Sequence, residues 1–565
     1  MSLYSSIRLA SNALRANEIG LAVVGQNIAN ANTPGYIREE AVFAPAGTER
    51  RGNLILGLGV RVEAVIQKID HFLEERLRGA VSERAGGEAL EQMYAQLEGI
   101  VGELSDTDLS TALNDFFSSI AEVLNQPESV SVRNLAMLQG KTLAQDVSRM
   151  SQRVRTLRAD ANKRIGDMAE DINRLVEEIR VLNVRIAETE GGDLSNSDAV
   201  GLRDQRLVAL ENLSRLIDIR VVEQESGGVT VYTGGDFLVF DGVSREVEVV
   251  LETDRGLNTA HIHLSETDSR LMPAAGELRG LIDARDTVLG GFLDELDDFA
   301  RTLIWEFNRL HSGGQGLKGY TSLTGEHAVD GARLPLDEAG LPFIPENGSF
   351  QVLVRNRNTG MTRTTDIRVD LSGTREKTTL EGLAAALDAI DGLSATITAD
   401  GKLHVQSDSP DHDFSFAHDT SGALAALGIN TFFTGSSAVD MGINSAIARD
   451  PELFAASRGG IGADTDNAVD LARFLDLPLA TRDGATLAVL YDRMVGEMAQ
   501  GSTVAQAVAE GAKVFEVTLR GQKMATSGVS LDEEAVKMMA YQHAFQASSR
   551  FIATINELFG ILVNL

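Results

Sequence analysis

The sequence predicts a mixed, mainly α-helical fold, with discontinuous terminal coiled-coil helices, a long-helix shaft and inserted β-rich domains. Three patterns support this prediction. Apolar residues recur in steps of three and four at both ends of the chain and over residues 143–186, the period of helices that pack along one seam. Residues 217–264 and 350–406 instead contain short alternating runs divided by Gly and Asp turns, as strands do.

The first helix is predicted from a seam that begins near the N-terminus. Its members are spaced alternately by four and three positions: Leu3, Ile7, Ala10, Leu14, Asn17, Leu21, Val24 and Ile28. Because this is the spacing of a coiled coil, we expect these side chains to share one helix face. Asn17 is the one polar member of the seam.

The seam stops in the segment Asn27–Tyr36. Pro34 cannot donate a backbone hydrogen bond within a helix, and Gly35 tolerates a positive φ. Residues 33–36 therefore suit a type II turn. We expect this turn to aim the following strand away from the terminal helix pair.

A second seam closes the chain. Met538, Tyr541, Phe545, Ser548, Ile552, Ile555, Phe559 and Leu562 repeat the same spacing. Ser530, followed three residues later by Glu533, is typical of a capping box at the start of a helix. We therefore predict that two amphipathic helices lie at the two ends of the chain.

The terminal helices are predicted to form an assembly interface, because a two-helix pair has little core of its own. Identical or related subunits in a repeating assembly would cover the remaining apolar surface. The residues predicted to form this interface are the apolar seam positions Leu3, Ile7, Leu14, Leu21, Val24, Ile28, Met538, Tyr541, Phe545, Ile552, Ile555, Phe559 and Leu562.

The interior of the chain predicts a helical shaft with insertions. One long helix is expected over residues 143–186 and another over residues 276–311, each followed by paired glycines. The predicted domains are a terminal helical assembly domain, a helical shaft domain, a small β-rich subdomain and an α+β inserted outer domain. Their respective ranges are 1–45 plus 525–565, 46–216 plus 275–314 plus 446–524, 217–274, and 315–445.

Composition excludes several classes of function. The formal net charge of −31 argues against nucleic acid and against anionic membrane surfaces. No apolar run reaches the roughly 18 residues of a membrane-spanning helix, so we expect no membrane insertion. The N-terminal segment lacks the apolar stretch of a cleaved signal peptide. The chain has no cysteine, which excludes disulfides and thiolate chemistry.

Candidate chemical sites are weak. Gly140, Lys141 and Thr142 resemble the end of a phosphate-binding loop, but position 135 is Leu where that motif needs Gly. His261 and His263 alternate on one predicted strand face without a third ligand at a usual spacing, so we expect a solvated pair. We find no serine paired with a histidine base. The prediction is a protein that is not an enzyme and has no catalytic, cofactor or metal site.

Two strings at the chain ends resemble the terminal signatures of the bacterial flagellar axial proteins, which are the rod, hook and hook-associated proteins. One string is Asn27–Tyr36 and the other is Gln542–Ser548. The signature turn comprises Asn27, Asn30, Asn32, Thr33, Pro34, Gly35 and Tyr36.

Four interior strings are similar to the hook-associated protein 1 family within that group. They are Gly201–Arg206, Gly276–Asp286, Asn308 with His311, and Ala426–Phe433. The long helix at 143–186 agrees with this resemblance, since hook and rod proteins turn to β structure soon after the first signature.

The resemblance implies a structural subunit of the bacterial flagellum that joins hook to filament. It implies type III export without a cleaved signal peptide, an extracellular location and a role in motility. The implied partners are the hook protein, a second junction protein (hook-associated protein 3), further copies in a ring, and a dedicated export chaperone on the C-terminal helix.

The sequence leaves three alternative hypotheses about function open. Within the group, the chain would be a flagellar hook or distal-rod subunit. From other classes, residues 315–445 would be a surface-adhesion module or an embedded hydrolase. No function is inherited by this insertion from the resemblance.

Overall fold

The computed structural model describes residues 3–52, 54–102, 108–191, 197–373 and 376–563. These residues form two compact units, each assembled from separate stretches of the chain. Unit 1 consists of Met1–Met93, Ala159–Arg285 and Ser502–Leu565. Unit 2 consists of Tyr94–Arg158 and Asp286–Gly501. The predicted partition into four domains stays a prediction.

Helices make up most of the regular structure. The α-helices are α1 (Leu3–Ala29), α2 (His71–Gly102), α3 (Leu109–Asn125), α4 (Val130–Glu190), α5 (Val200–Leu216), α6 (Glu277–Asp283), α7 (Gly290–Ser312), α8 (Leu380–Asp388), α9 (Ala423–Leu427), α10 (Ser445–Arg449), α11 (Asp466–Ala472), α12 (Leu487–Ser527) and α13 (Leu531–Val563). A π-helical segment covers Ala284–Leu289, and 3₁₀ turns cover Pro451–Leu453, Phe474–Asp476 and Ala480–Arg482.

The strands form small antiparallel sheets. They are β1 (Glu39–Pro45), β2 (Thr48–Arg51), β3 (Leu54–Gly57), β4 (Val60–Gln67), β5 (Arg220–Glu223), β6 (Val229–Thr233), β7 (Asp236–Phe240), β8 (Val243–Ser244), β9 (Val247–Asp254), β10 (Leu257–Leu264), β11 (Ser269–Arg270), β12 (Ser322–Thr324), β13 (Gly348–Asn356), β14 (Thr362–Val369), β15 (Leu393–Ile397), β16 (Leu403–Ser407), β17 (His412–Ala417), β18 (Phe433–Thr434) and β19 (Gly442–Ile443).

In unit 1 the strand orders are β1-β4, β2-β3, β5-β6-β7-β8 and β11-β10-β9, and in unit 2 they are β14-β13-β17, β12-β16-β15 and β18-β19. The two predicted β-rich regions are therefore present, each as sheets of two to four strands. The predicted fold class is confirmed: long helices dominate, with small sheets inserted between them.

The main core of unit 1 joins helices to the small sheets. Its buried side chains come from α4, α5 and α6 and from strands β6, β7, β9 and β10, and include Ile172, Leu213, Val231, Ile262 and Leu278. The apolar seam of α4 therefore packs against strands as well as helices. This burial explains why the three-four rhythm is so regular, since every seam position on this part of α4 faces apolar neighbours.

The core of unit 2 is a cluster of phenylalanines. Phe116, Phe307, Phe432 and Phe433 are each almost fully buried, and their ring centroids are 4.9–5.6 Å apart. Such ring pairs add to the free energy gained by burying area alone. A Cβ at Gly140 would lie 2.6 Å from the Phe432 ring, so Gly140 serves this packing.

A buried polar clamp holds the Ala426–Phe433 string against α7. The Asn308 side chain accepts from Phe432 N and Phe433 N, at 3.0 Å each, and donates to Phe433 O at 2.9 Å. His311 Nδ1 lies 2.9 Å from Asn430 O, and Ala455 N donates to His311 Nε2 at 3.1 Å. Burial lowers the pKa of His311 to about 4, so the ring is neutral at physiological pH and donates only through Nδ1.

Two predicted helices differ from their observed forms. The helix expected over residues 143–186 lies inside α4, which begins at Val130 and has 61 residues. Its start follows Pro127, which cannot lie in a helix interior. The helix expected over residues 276–311 has the expected extent but is interrupted by the π-helical segment Ala284–Leu289. Apolar periodicity does not reveal one wider turn inside a long helix.

A glycine crossing sets the distance between α2 and the start of α6 in unit 1. A Cβ at Gly86 would lie 2.8 Å from Gly276 O, and a Cβ at Gly280 would lie 2.3 Å from Gly86 O. Both distances are shorter than real Cβ contacts, so only glycine permits this approach. A Cβ at Gly79, about two turns earlier in α2, would meet nothing within 4 Å.

We therefore predict opposite effects for the same substitution at two positions of α2. Gly86→Ala should lower the free energy of unfolding by about 1–3 kcal/mol, because the added methyl group forces the backbones apart. Gly79→Ala should raise it by up to about 1 kcal/mol, because alanine has the higher helix propensity. Chemical denaturation of the two full-length variants measures both changes. Equal effects of the two substitutions would contradict the crossing.

Candidate assembly interface

The two terminal helices pack against each other. Helix α1 contacts α13 along much of its length. A Cβ at Gly20 would lie 3.0 Å from Tyr541 Cζ, and the rings of Phe43 and Tyr541 are 5.9 Å apart. The helices at opposite ends of the sequence therefore form a pair within one subunit.

The predicted seam residues lie on the inner faces of this pair. Val24 and Ile555 are buried, and the following members are half-buried: Ile7, Leu14, Leu21, Ile28, Met538, Tyr541, Phe545, Ile552 and Phe559. The side chains of Leu3 and Leu562 lie outside the described residues. The assignment of these residues to contacts between subunits stays a prediction, since much of their surface is used inside one subunit.

A second apolar face on α13 was missed by the sequence analysis. Its residues, which we call the outer stripe, are Val536, Met539, Phe551, Leu558 and Ile561. Each is exposed, with 62% of Val536 and 59% of Ile561 accessible to solvent. At about 100° per residue, Val536, Met539 and Ile561 point away from the seam, whereas Phe551 and Leu558 flank it. A helix with exposed apolar residues outside its seam needs partners beyond α1.

Asn17 shows how the inner seam accommodates a polar residue. Its side-chain nitrogen donates to Ala13 O in the preceding turn of the same helix at 2.8 Å. Because the amide donor is satisfied locally, the seam needs no polar partner on α13 for it.

The predicted type II turn is confirmed. Gly35 has a φ of +80°, and Tyr36 N donates to Thr33 O at 3.2 Å. Thr33 Oγ1 donates to Asn30 Oδ1 at 3.2 Å, which ties the turn to the end of α1. A Cβ at Gly35 would lie 2.4 Å from the Val208 side chain of α5, so glycine is required for space as well as for φ.

The predicted direction of the following strand was wrong. Strands β1 and β4 pack against α1 instead of leading away from the helix pair. Asn12 Nδ2 donates to Leu58 O at 2.9 Å, beside this hairpin, and Phe43 on β1 reaches Tyr541 on α13. The turn therefore returns the chain onto α1. A two-stranded hairpin is stable only when another element, here α1, covers its apolar face.

We call α1, the signature turn, strands β1 and β4, and α13 the terminal module. Asn27 is its polar centre. Its Nδ2 donates to Glu39 O and to Glu534 Oε2, at 3.0 Å each. Its Oδ1 accepts from Tyr36 Oη at 2.8 Å and from Glu39 N at 2.9 Å. One buried side chain thus connects the end of α1, the signature turn, the start of β1 and the start of α13.

A buried ion pair completes this connection. Arg38 donates to Glu534 Oε1 through Nε at 3.0 Å and Nη2 at 2.7 Å, and it also contacts the exposed Glu533 at 3.0 Å. The Glu534 side chain is 0% exposed and that of Arg38 is 9% exposed. Burial raises the pKa of Glu534, but hydrogen bonds from Asn27 and Arg38 outweigh it and leave the pKa below its ordinary value.

The predicted capping box is half present. Ser530 Oγ accepts from Glu533 N at 3.4 Å, as a capping residue should. The Glu533 carboxylate, however, pairs with Arg38. The ion pair with Arg38 therefore replaces the hydrogen bond that the Glu533 carboxylate would accept from the Ser530 backbone N–H in a complete capping box.

Asp204 is a buried carboxyl beside the signature turn. It accepts hydrogen bonds from Ile37 N at 3.3 Å and from Gln67 Nε2 at 2.6 Å. Burial raises the pKa of Asp204 to about 7, and the nearby Glu39 carboxylate acts in the same direction. Near neutral pH the module therefore holds a carboxyl group that is only partly ionised.

The histidine pair on β10 was wrongly predicted to be solvated. His261 and His263 are 5% and 9% exposed, and they contact Glu252 at 3.4 Å and Asp268 at 2.9 Å respectively. The core of unit 1 takes Ala260, Ile262 and Leu264 from β10, so the two histidines are buried on the other face of this strand. Across the described residues, no group of three or more His, Cys, Asp and Glu side chains is placed to hold a metal ion.

We predict that Glu534→Gln loosens the terminal module. Arg38 would keep its buried charge with only the exposed Glu533 as an anionic partner, at a cost of up to about 3–5 kcal/mol. Backbone amides of α13 should then exchange hydrogen faster than in the native chain, and hydrogen-exchange measurements detect this loss of stability. Glu533→Gln is the matched control, because its exposed carboxylate contributes less than about 1 kcal/mol to the same arginine. Similar exchange in both variants would contradict the role of the buried pair.

Asp204→Asn should stabilise the protein at alkaline pH. The pKa of Asp204 is about 7 in the folded chain and lower in the unfolded chain. The free energy of unfolding therefore falls as the pH rises from the unfolded pKa to about 7. The variant keeps an acceptor oxygen for Ile37 and Gln67 but cannot ionise. Its melting temperature should exceed that of the native chain at pH 8, with a smaller difference at pH 5. A difference that grows toward acid pH would refute this assignment.

Known families match the terminal module and the helical interior. The family described as flagella basal body rod protein matches residues 7–36, which cover α1 and the signature turn. The family described as the C-terminal region of flagellar basal body rod FlgEFG proteins matches residues 521–565. The family described as the flagellar hook-associated protein FlgK helical domain matches residues 94–325. The interior match is thus to a hook-associated protein and not to a hook or rod subunit.

Curated relatives match over the full chain. Flagellar hook-associated protein 1 of Salmonella typhimurium is 24% identical over 99% of this chain and 100% of its own length. Flagellar hook-associated protein 1 of Bacillus subtilis is 23% identical over 100% of this chain and 98% of its own. The flagellar hook junction protein FlgK of Burkholderia pseudomallei has a similar fold, with a TM-score of 0.50, 15% identity, and coverage of 80% of this chain and 100% of that one. On these matches the chain is similar over its full length to flagellar hook-associated protein 1, and it is a structural subunit of the bacterial flagellum.

Proposed function

We propose that this subunit is built into the flagellum through its terminal helix pair, with the outer stripe of α13 packed against neighbouring subunits. Its place is the hook–filament junction. The observation that carries the proposal is that α13 has exposed apolar residues outside the seam that faces α1. The outer stripe is thus available to subunits above, below or beside this one.

The free energy for assembly comes from this apolar surface. Each square ångström of apolar area removed from water contributes roughly 25 cal/mol. The Arg38–Glu534 pair and Asn27 hold α13 in one orientation before assembly, which lowers the conformational entropy lost on binding. The module therefore presents a preformed surface to its neighbours.

The proposed partners are the hook protein on one side, hook-associated protein 3 on the other, and further copies of the chain in a ring. We also propose type III export without a cleaved signal peptide, and an export chaperone that covers α13 beforehand. Exposed apolar residues on α13 would otherwise associate wrongly before export. Within the described residues, no helix has the length and apolar character needed to cross a membrane. The adhesion and hydrolase hypotheses for residues 315–445 stay predictions.

We predict that Leu558→Asp blocks assembly without unfolding the subunit. Leu558 is 47% exposed and lies on the outer stripe, so a charge there is tolerated in the free chain but opposes burial against a neighbour. A strain that carries only this variant should make hooks without filaments and release filament subunits into the medium, as seen by electron microscopy and secretion assays.

Asn556→Asp is the matched control, because it adds the same charge two residues away at an exposed polar position. This variant should support normal filaments. An unchanged melting temperature of the purified Leu558→Asp chain shows that the fold is intact. Normal filament numbers in the Leu558→Asp strain would refute the proposed interface.

A further inference from the structure

Unit 1 contains a cavity that the terminal module does not use. Its volume is about 440 Å³, and it lies among the segment between β4 and α2, the start of α2, helix α5 and strands β5 and β6. Leu210 and Val229 form an apolar floor and are both buried. Phe72 lines the cavity and is 69% exposed, so it marks the opening. The volume falls within the range of small-molecule sites.

A buried arginine without a partner lines this cavity. Arg78 is 8% exposed, and its Nε has no hydrogen-bond partner. Among the described residues, no side chain or carbonyl is placed to hydrogen-bond or ion-pair with the guanidinium. Burial lowers the pKa of Arg78, although Glu74, Glu75 and Glu211 act in the opposite direction. A charged group is rarely buried in this way unless an anion or water completes its bonds.

Three acids line the cavity, and two of them, Glu74 and Glu223, are held by other cations while Glu75 acts on Arg78 only through its charge. Glu74 pairs with Lys523 Nζ at 2.7 Å, and Glu223 pairs with Arg203 Nη1 at 2.7 Å. Both acids line the cavity, yet each is held by its own partner. Arg78 Nε receives no hydrogen-bond acceptor from any of these acids, so it is left for a ligand.

A second arginine adds positive charge to the cavity wall. Arg206 is 4% exposed and donates through Nη1 to Asn183 Oδ1 at 3.0 Å and to Gly227 O at 2.7 Å. These acceptors are neutral, so the charge of Arg206 is not cancelled by its hydrogen-bond partners. Two guanidinium groups beside an apolar floor favour an anion that carries a short hydrocarbon stem.

We propose that this cavity binds a carboxylate on a short aliphatic stem, with Arg78 as its ion-pair partner and Leu210 and Val229 against the stem. The planar guanidinium fork matches a carboxylate in a two-bond arrangement. Such a group has two sources. One is a small free dicarboxylic acid, and the other is an acidic side chain of a second copy of this chain in the assembly.

Glutarate is the probe for the first source, tested on the full-length chain. Its melting temperature should rise with glutarate to a saturating value, and calorimetry should give binding that is about tenfold or more weaker in Arg78→Met. Glutaramide, which is neutral, should produce no shift. Arg174→Gln removes an exposed arginine elsewhere in unit 1 and should bind glutarate as the native chain does. Without ligand, Arg78→Met should melt at a higher temperature, because an unpaired buried charge is gone.

Self-association tests the second source, and this arm alone rests on the proposed assembly. If a second copy supplies the carboxylate, glutarate leaves the native melting temperature unchanged, and Arg78→Met sediments with weaker self-association than the native chain or Arg174→Gln. Arg78→Lys keeps the charge but loses the two-bond geometry of the guanidinium, so its effect on self-association should be intermediate. It replaces Arg78→Met in the test if that variant does not fold.

Two results would overturn the proposal. One is an equal glutarate shift in the native chain and in Arg78→Met, which would place the acid elsewhere. The other is no shift together with unchanged self-association of Arg78→Met. Leu558→Asp leaves the cavity intact and should still bind glutarate, so failure of the assembly proposal would be distinguishable from failure of this one.

Discussion

The contact of Arg38 and Asn27 with Glu534 is the constraint on which the terminal module depends. Arg38 and Glu534 lie 496 positions apart in sequence. Their contact places a fully buried carboxylate against a nearly buried guanidinium. Burying either charge alone would be unfavourable, so the two ends of the chain are stable here only together. Because Asn27 also holds the signature turn and the start of β1, this single site fixes α1, the hairpin and the beginning of α13.

This arrangement leaves α13 with one face covered and one face exposed. The inner seam meets α1, while the outer stripe presents apolar side chains to solvent. The free subunit gains nothing from such a stripe, whereas in the proposed assembly the stripe packs against neighbouring subunits. The rigid connection through Glu534 means that the stripe is presented at a fixed angle to the rest of unit 1.

Local periodicity predicted much of the fold. The seams of α1, α4 and α13 follow from apolar spacing alone, and the type II turn follows from Pro34 and Gly35, because both effects are local. Long-range features were not predictable in this way. Nothing local pairs Arg38 with Glu534, brings Gly86 against Gly280, or returns β1 onto α1. The outer stripe was missed because the stronger seam on α13 was assumed to be its only apolar face, although Phe551, Leu558 and Ile561 recur at helical spacing.

The central claim is that the outer stripe is exposed in the free subunit and covered in the flagellum. Because the chain has no cysteine, a single Leu558→Cys substitution reports on this face by maleimide labelling. Met361→Cys, at a position 74% exposed in unit 2, controls for access to the reagent. The account predicts rapid labelling of both variants in the free chain and loss of labelling only for Leu558→Cys in assembled flagella. Equal labelling of Leu558→Cys in the free and assembled states would contradict it.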